Sequence, residues 1–162
     1  MEKNPDQVMA ALTQVMDPEI PRVSIVDLGM VERISVVPDA IVITLIPTYM
    51  GCPATRLIAE RAQMQVKQAL QLPLDMVRVE WSTDVAWTTD RVTETGRRHL
   101  KEFGIAPPPA TGNTLLTPDV PVSCPLCGAT TTTMENLFGA TACRSLYYCR
   151  QCKNPFEVMK PT

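Results

Sequence analysis

The chain has 162 residues, of which 45% are hydrophobic and 20% charged, and its formal net charge is -2. This length allows one domain, or one domain plus a small appendage, and the composition excludes a wholly disordered chain. The near balance of basic and acidic side chains also excludes a polyelectrolyte.

The first 105 residues have the periodicities of a small α+β domain. A helix is predicted from Pro5, with Asn4 as its N-cap, to the Asp17-Pro18 pair. A hairpin with its turn at Pro38-Asp39 follows, and then a second helix, a third strand and a short last helix, over residues 31–46, 54–70, 76–81 and 94–103. The order α-β-β-α-β-α predicts helices on one face of a mainly antiparallel sheet.

A proline-rich stretch divides the chain. Residues 105–121 contain five prolines, together with Gly112 and Asn113, and have no apolar period. Such a composition is typical of a semi-rigid linker. We therefore predict a domain at residues 1–105, a linker at 106–121 and a small module at 122–162.

The N-terminus lacks the pattern of a secretory signal, because residues 2–6 read Glu-Lys-Asn-Pro-Asp where a basic segment and an apolar run are needed. The longest apolar run, at residues 40–46, is far shorter than the roughly 18 residues that span a bilayer. We expect a soluble cytoplasmic protein with no membrane partner. Its cysteines should be reduced, and we therefore interpret paired cysteines as metal ligands in preference to disulfides.

Two Cys-x-x-Cys pairs are the strongest chemical signal in the sequence. Cys124 and Cys127 are separated by 21 residues from Cys149 and Cys152, close to the spacing of a four-cysteine zinc ribbon. Strands are predicted between the pairs, at residues 130–133 and 145–148. Four thiolates leave zinc no open position, so the predicted zinc is structural and supplements a small core. A redox dithiol and an iron-sulfur cluster are the alternatives.

Cys143 lies six residues before Cys149, which in an extended strand is a separation of roughly 20 Å. We therefore expect it not to be a fifth ligand. A packing residue in the core of the module is the main interpretation, and a reactive thiol is the alternative.

Cys52 stands apart from the other cysteines. It lies in a turn-rich loop before the predicted second helix, whose free backbone donors and dipole favour a thiolate there. An inert loop cysteine and a functional thiolate both fit these residues. Nucleophilic catalysis would need a partner base, and the sole histidine, His99, is expected on the surface. The nearby acidic residues Asp17, Glu19 and Asp27 fit turn chemistry, with a hard cation as the alternative.

Several motifs resemble known families. The signature of the MIP18-type iron-sulfur cluster assembly domain is similar to Asp17-Pro18-Glu19, to residues 25–31 and to Thr48-Tyr49-Met50-Gly51-Cys52-Pro53. Over residues 17–160 the chain further resembles one subfamily, the D subunits of the phenylacetyl-CoA epoxidase system. The motifs of this second resemblance are residues 84–90, the linker prolines, residues 124–128, residues 138–143 and Asn154-Pro155-Phe156.

The resemblance implies an accessory protein of aerobic phenylacetate breakdown that is not itself an enzyme. Its partners would be the oxygenase and the [2Fe-2S] flavin reductase of that system, whose metal centres it would help to mature. Cys52 matches the cysteine of the family, with Asp27 and Thr48 at flanking positions, as candidates for the transfer of iron or of a transient iron-sulfur cluster. One thiolate cannot hold a [2Fe-2S] cluster, so a second copy of the chain or a client must supply the other ligands. One zinc per chain would be bound by Cys124, Cys127, Cys149 and Cys152.

The residues support three other functions less well. A structural docking subunit of the multicomponent oxygenase would use the ribbon and the linker as contact surfaces and handle no cluster. Nucleic-acid binding is disfavoured, because residues 118–162 have four basic and three acidic side chains and no basic stripe. Independent catalysis is not predicted, since no base, phosphate loop or open metal site accompanies Cys52.

Overall fold

The structure is a computed structural model that describes residues 4–107 and 121–160. These residues form two compact units that divide between Trp87 and Thr88, and each unit contains one sheet. The predicted linker, 106–121, lies largely outside the described residues. In the two described ranges, no helix has the length and apolar character needed to cross a membrane.

The first unit contains two α-helices and a three-stranded sheet. Helices α1 and α2 span Pro5–Leu12 and Thr55–Leu70, and strands β1, β2 and β3 span Val31–Val37, Ala40–Leu45 and Val77–Trp81. Strand β1 is antiparallel to β2, and β2 is parallel to β3. The α+β class is confirmed. The expectation of a mainly antiparallel sheet is wrong for the β2–β3 pair, which is parallel. Helix α2 acts as a crossover between β2 and β3, and a crossover lets the second strand run in the same direction as the first.

The helices cover one face of this sheet with apolar side chains, whereas the other face is polar. On the polar face Arg33 of β1, Thr44 of β2 and Glu80 of β3 lie side by side. The covered face and the helix surfaces against it supply the main core, which excludes water and thereby stabilises the unit. Its fully buried side chains include Val8, Leu12, Ile41, Ile43, Leu45, Ile58, Ala62, Val66 and Val77.

Helix α1 ends at Leu12, earlier than the predicted stop at Asp17-Pro18. The backbone then turns and pairs with later residues, and the Ile25 amide donates a hydrogen bond to the Val15 carbonyl at 2.9 Å. Val15 is buried and continues the apolar period of the helix. The periodicity alone therefore did not reveal the earlier end.

The second unit contains helix α3 and a four-stranded sheet in the order β4-β7-β6-β5. Strands β5 and β6 lie close to the two predicted strands, but β4 and β7 were not predicted. Helix α3 and Ile105 fall within the range predicted for the first domain, and Ala106 begins the predicted linker. In the structure α3 and β4 lie in the second compact unit, where β4 pairs with β7. The elements are α3 Glu94–Glu102, β4 Ile105–Ala106, β5 Thr132–Asn136, β6 Arg144–Cys149 and β7 Pro155–Met159.

A small core joins these strands to the cysteine turns. The rings of Tyr147 in β6 and Phe156 in β7 are 5.8 Å apart, and both side chains are buried. Cys124 and Cys149 belong to the same buried cluster. The ribbon core and the cysteine site therefore share side chains.

Candidate functional site

The cysteine pairs lie on two matched turns. In the first turn the Gly128 amide donates to the Cys124 carbonyl at 2.8 Å, and in the second the Lys153 amide donates to the Cys149 carbonyl at 2.9 Å. Gly128 and Lys153 have left-handed backbones, with φ of 78° and 58°. The conformation of Lys153 was not predicted from the sequence, because a residue with a β-carbon rarely adopts it.

The four cysteine sulfurs form one compact cluster, within 4.8 Å of one another. The Sγ atoms of Cys124 and Cys152 are 3.8 Å apart, and those of Cys127 and Cys149 are 3.6 Å apart. Sulfurs about 2.3 Å from a tetrahedral zinc are about 3.8 Å from one another. The cluster is therefore a metal-binding site, and its donor set and spacing fit a closed tetrahedral ion.

The thiols of this cluster differ in acidity. The side-chain hydrogen bond of Asn154 is the main cause that lowers the pKa of Cys152 to about 7. At Cys127 a hydrogen bond with the Ala129 backbone lowers the pKa, but loss of solvent and hydrogen bonds with the other thiols raise it to about 11. Neighbouring thiols without a cation share protons, whereas a bound divalent cation lets all four ionise.

Cys143 lies outside the four-sulfur cluster. Its Sγ is 3.1 Å from the Thr141 hydroxyl oxygen, and its carbonyl accepts a hydrogen bond from the Lys160 amide at 3.0 Å. The side chain is half-buried and does not belong to the hydrophobic cluster of the ribbon. Cys143 is thus a loop residue, and its predicted place in the core of the module needs correction.

Cys52 lies in the loop that joins β2 to α2, three residues before the helix begins at Thr55. Its amide donates to the Tyr49 carbonyl at 3.1 Å, and its carbonyl accepts the Thr55 hydroxyl at 3.2 Å. The side chain is half-buried. The loop therefore holds the Cys52 backbone by hydrogen bonds, and the residue as a whole is partly exposed.

Three loops lie together at the end of the first sheet where Cys52 is found. Strand β1 begins at this end of the sheet, and β2 and β3 both finish there, because β1 is antiparallel to β2 and β2 is parallel to β3. Backbone hydrogen bonds of 2.8 Å, from Ile46 to Met30 and from Ser82 to Leu45, tie the loops to the sheet. This topology brings the loop that contains Asp27 and the loop that contains Thr48 and Cys52 to the same end of the sheet.

The loop that contains Asp27 is held by hydrogen bonds within the loop and by one hydrogen bond from a residue distant in sequence. The Asp27 carboxylate accepts from the Ser24 amide at 3.3 Å, and the Asp27 amide donates to the Ser24 hydroxyl at 3.0 Å. The buried Trp87 ring donates its N–H to the Leu28 carbonyl at 2.7 Å. Sequence reasoning predicted the turn chemistry but missed this role of Trp87, because a bond between residues 59 positions apart leaves no local pattern.

Exposed apolar side chains lie on the loops at this end of the sheet and in the first turn of α2. Met50 in the Cys52 loop is 72% exposed, and Tyr49 beside it is 39% exposed. Leu57, in the first turn of α2, and Val85, after β3, are exposed to a similar extent. Exposed apolar side chains that form a continuous patch are typical of protein contact surfaces.

Two family models match the chain. The model described as an iron-sulfur cluster assembly protein matches residues 5–81, which include Cys52. The model described as the PaaD zinc beta ribbon domain matches residues 108–160, which include all four cysteines of the cluster.

A curated relative matches almost the whole chain. It is an Escherichia coli strain K12 protein named as the D subunit of 1,2-phenylacetyl-CoA epoxidase, and it is 40% identical over 156 residues. The match covers 95% of this chain and 91% of the relative. The chain belongs to the family of phenylacetyl-CoA epoxidase D subunits. This result confirms the subfamily resemblance seen in the motifs.

The iron-sulfur assembly part of this member of the D-subunit family has further relatives. The Bacillus subtilis strain 168 protein named Fe-S protein maturation auxiliary factor YitW is 32% identical over 89 residues, 54% of this chain and 84% of the relative.

Two solved structures share the fold. A domain of unknown function, DUF59, from Bacillus anthracis has a TM-score of 0.54 at 25% identity, over 59% of this chain and 89% of that one. A conserved hypothetical protein from Thermotoga maritima has a TM-score of 0.51 at 26% identity, over 60% and 93%. These structures support the α+β fold of the first unit.

Proposed function

We propose that this member of the D-subunit family is a cytoplasmic accessory protein that helps to mature the metal centres of the phenylacetyl-CoA epoxidase system. The observation that carries the proposal is the position of the partly exposed Cys52 at the end of the sheet where three loops of an iron-sulfur assembly domain lie. The printed names of its relatives, a D subunit of an epoxidase and an iron-sulfur maturation factor, support the same role. Its partners in this proposal are the oxygenase and the [2Fe-2S] flavin reductase.

In this proposal the cargo is iron or an iron-sulfur cluster in transit, and Cys52 supplies one thiolate to it. Asp27 lies on a neighbouring loop and offers carboxylate oxygens, and the buried Thr48 lies in the Cys52 loop, four residues before Cys52. A [2Fe-2S] cluster takes four protein ligands, so the client or another thiol source completes the set. The exposed Met50 and Tyr49 would contact that client.

The four-cysteine cluster has a structural role in the same proposal. We assign one zinc per chain to Cys124, Cys127, Cys149 and Cys152, where four thiolates would leave no position for a substrate. Zinc would tie the two turns together and support the small core that contains Tyr147. The chain then has no catalytic residue of its own.

The variant Cys52→Ser tests the proposal in cells that co-express the oxygenase and the reductase. We expect normal expression and zinc content of the variant, with client iron content and epoxidase activity reduced to the level without this accessory protein. Cys143→Ser is the matched control, because Cys143 is also half-buried and outside the four-sulfur cluster. Full client iron content with Cys52→Ser would refute the proposed role of Cys52.

A docking subunit that handles no cluster is the second candidate. The observation in its favour is the exposure of apolar side chains on the ribbon, where Leu126, Leu137 and Phe138 are 57%, 47% and 60% exposed. If Phe138→Ser abolishes capture of the client while Cys52→Ser leaves epoxidase activity unchanged, docking is the function. If both variants abolish activity, the ribbon delivers the client to Cys52.

A further inference from the structure

Strand β3 forms an edge of the first sheet, because β2 is the only strand of the described residues that pairs with it. The register aligns Val79 with Ile43, and the Ser82 amide donates to the Leu45 carbonyl. Even-numbered residues of β3 therefore direct their backbone groups towards β2. Odd-numbered residues direct theirs outward, since the direction alternates along a strand.

The outward groups of β3 differ along its length. The Val77 amide donates to the Leu74 carbonyl, and the Val77 carbonyl accepts from the Gln63 side chain at 2.6 Å. Within residues 4–107 and 121–160, the outward amides and carbonyls of Val79 and Trp81 form no hydrogen bond. The outward backbone groups are therefore hydrogen-bonded at the start of β3 and unpaired at its end, where a further strand can pair with them.

A groove of about 550 Å³ runs between this edge and α2. Arg56 and Glu60 line it on the helix and form an exposed ion pair at 2.8 Å. Arg78 and Glu80 flank Val79 on the strand, and both are exposed on the polar face of the sheet. The open backbone groups thus lie between an arginine and a glutamate of the same strand.

We propose that a second copy of the chain occupies this edge, with β3 antiparallel to the β3 of its partner. The charge pattern of the strand is complementary to itself in this arrangement. A two-fold axis at Val79 sets Arg78 of one copy opposite Glu80 of the other, and the reverse pair forms by symmetry. In-register parallel strands would instead set like charges side by side.

The outward amide and carbonyl of Val79 and the amide of Trp81 fit the same register, whereas the Trp81 carbonyl keeps its contact with water because the Val77 amide opposite it already donates to Leu74. Each Val79 exchanges its amide and carbonyl hydrogen bonds with the partner's Val79. Each Trp81 amide reaches the partner's Val77 carbonyl, which keeps a free lone pair beside the bond from Gln63. The two sheets would then be continuous across the dimer. This inference does not depend on the proposed function.

Sedimentation equilibrium of the full-length, zinc-loaded chain over a range of concentrations tests the proposal. We expect a reversible monomer–dimer equilibrium for the natural sequence. Arg78→Glu should raise the dimer dissociation constant about tenfold or more, because both symmetric charge pairs become repulsive. Combining Arg78→Glu with Glu80→Arg should restore the dimer, since the swap recreates both pairs.

Two further variants complete the test. Arg33→Glu makes the same charge change on the same sheet face, but on β1, and should leave the dissociation constant unchanged. Val79→Pro removes an outward amide that β2 does not use and should abolish the dimer.

Three results with the purified chain alone would overturn the proposal. They are a chain that is monomeric at every concentration, a dimer insensitive to Arg78→Glu and Val79→Pro, and a charge swap that fails to restore association. A monomer that captures the reductase or oxygenase, and loses this capture with Val79→Pro, would also overturn it. That result would assign the edge to a client strand.

Discussion

Arg144 links the loop at residues 137–143 to β7. Its guanidinium donates to the Glu157 carboxylate at 2.7 Å and to the Thr141 hydroxyl at 2.8 Å. Glu157 also accepts from the Ala140 amide at 2.8 Å. The Arg144 side chain is only 8% exposed, so a lost partner would not be replaced fully by water.

We predict that Glu157→Ala lowers the free energy of unfolding of the second unit by about 3 kcal/mol, because it leaves a buried guanidinium without its counter-ion. Urea unfolding of the zinc-loaded protein measures this loss. Glu135→Ala, an exposed glutamate on β5, is the control and should change the stability by less than about 0.5 kcal/mol. Equal effects of the two variants would contradict the account of the ion pair.

Sites whose residues follow a local spacing pattern were predictable from the sequence, whereas contacts between residues distant in sequence were not. The two Cys-x-x-Cys pairs indicated one metal cluster, and all four sulfurs do meet. The bond between Arg144 and Glu157 leaves no spacing pattern of its own. His99 was expected on the surface, but it is half-buried with its Nδ1 shielded from solvent, because packing around α3 was not visible in the sequence.

At the scale of elements, the loop before β1 depends on Trp87. We predict that Trp87→Phe lowers the stability of the first unit by about 1 to 2 kcal/mol, because the buried Leu28 carbonyl loses its donor. Amide hydrogen exchange of residues 24–30 should accelerate in this variant. The epoxidase activity of co-expressed clients should also fall if this loop positions Asp27 for transfer.

Trp81→Phe is the matched control for that prediction. The Trp81 side chain is half-buried, and its ring N–H forms no hydrogen bond within the described ranges. Its replacement should leave exchange of residues 24–30 unchanged. Equal acceleration by both variants would show that ring size, rather than the Trp87 hydrogen bond, holds the loop.

Elements with strong local signals were predicted to within about a residue. The β1–β2 hairpin follows from apolar runs around Pro38-Asp39, and α2 follows from a 3.6-residue period that ends before Pro73. Strand β4 has two residues and β7 begins with Pro155, so neither has a clear pattern. The direction of β3 was missed because alternation is the same in parallel and antiparallel strands.

At the scale of the molecule, the two units should respond differently to loss of metal. We predict that a strong chelator unfolds the ribbon and spares the first unit, because zinc binding to such a site is worth on the order of 10 kcal/mol and is coupled to folding. The first unit has its own core and no part in the four-sulfur cluster.

Limited proteolysis with mass spectrometry measures this difference. Chelation should open cleavage sites in residues 121–160 and leave residues 4–81 protected, and added zinc should reverse the change. A ribbon that loses its metal without any change in proteolysis would show that folding and metal binding are not coupled.

The central claim is that Cys52 passes iron or a cluster to a client, and anaerobic transfer to the metal-free reductase tests it most directly. The purified full-length chain is supplied with iron and sulfide and mixed with the reductase, whose visible absorption reports cluster acquisition. The natural sequence and Cys143→Ser should accelerate acquisition, while Cys52→Ser should leave it at the rate of iron and sulfide alone. Equal acceleration by Cys52→Ser and the natural sequence would contradict the claim.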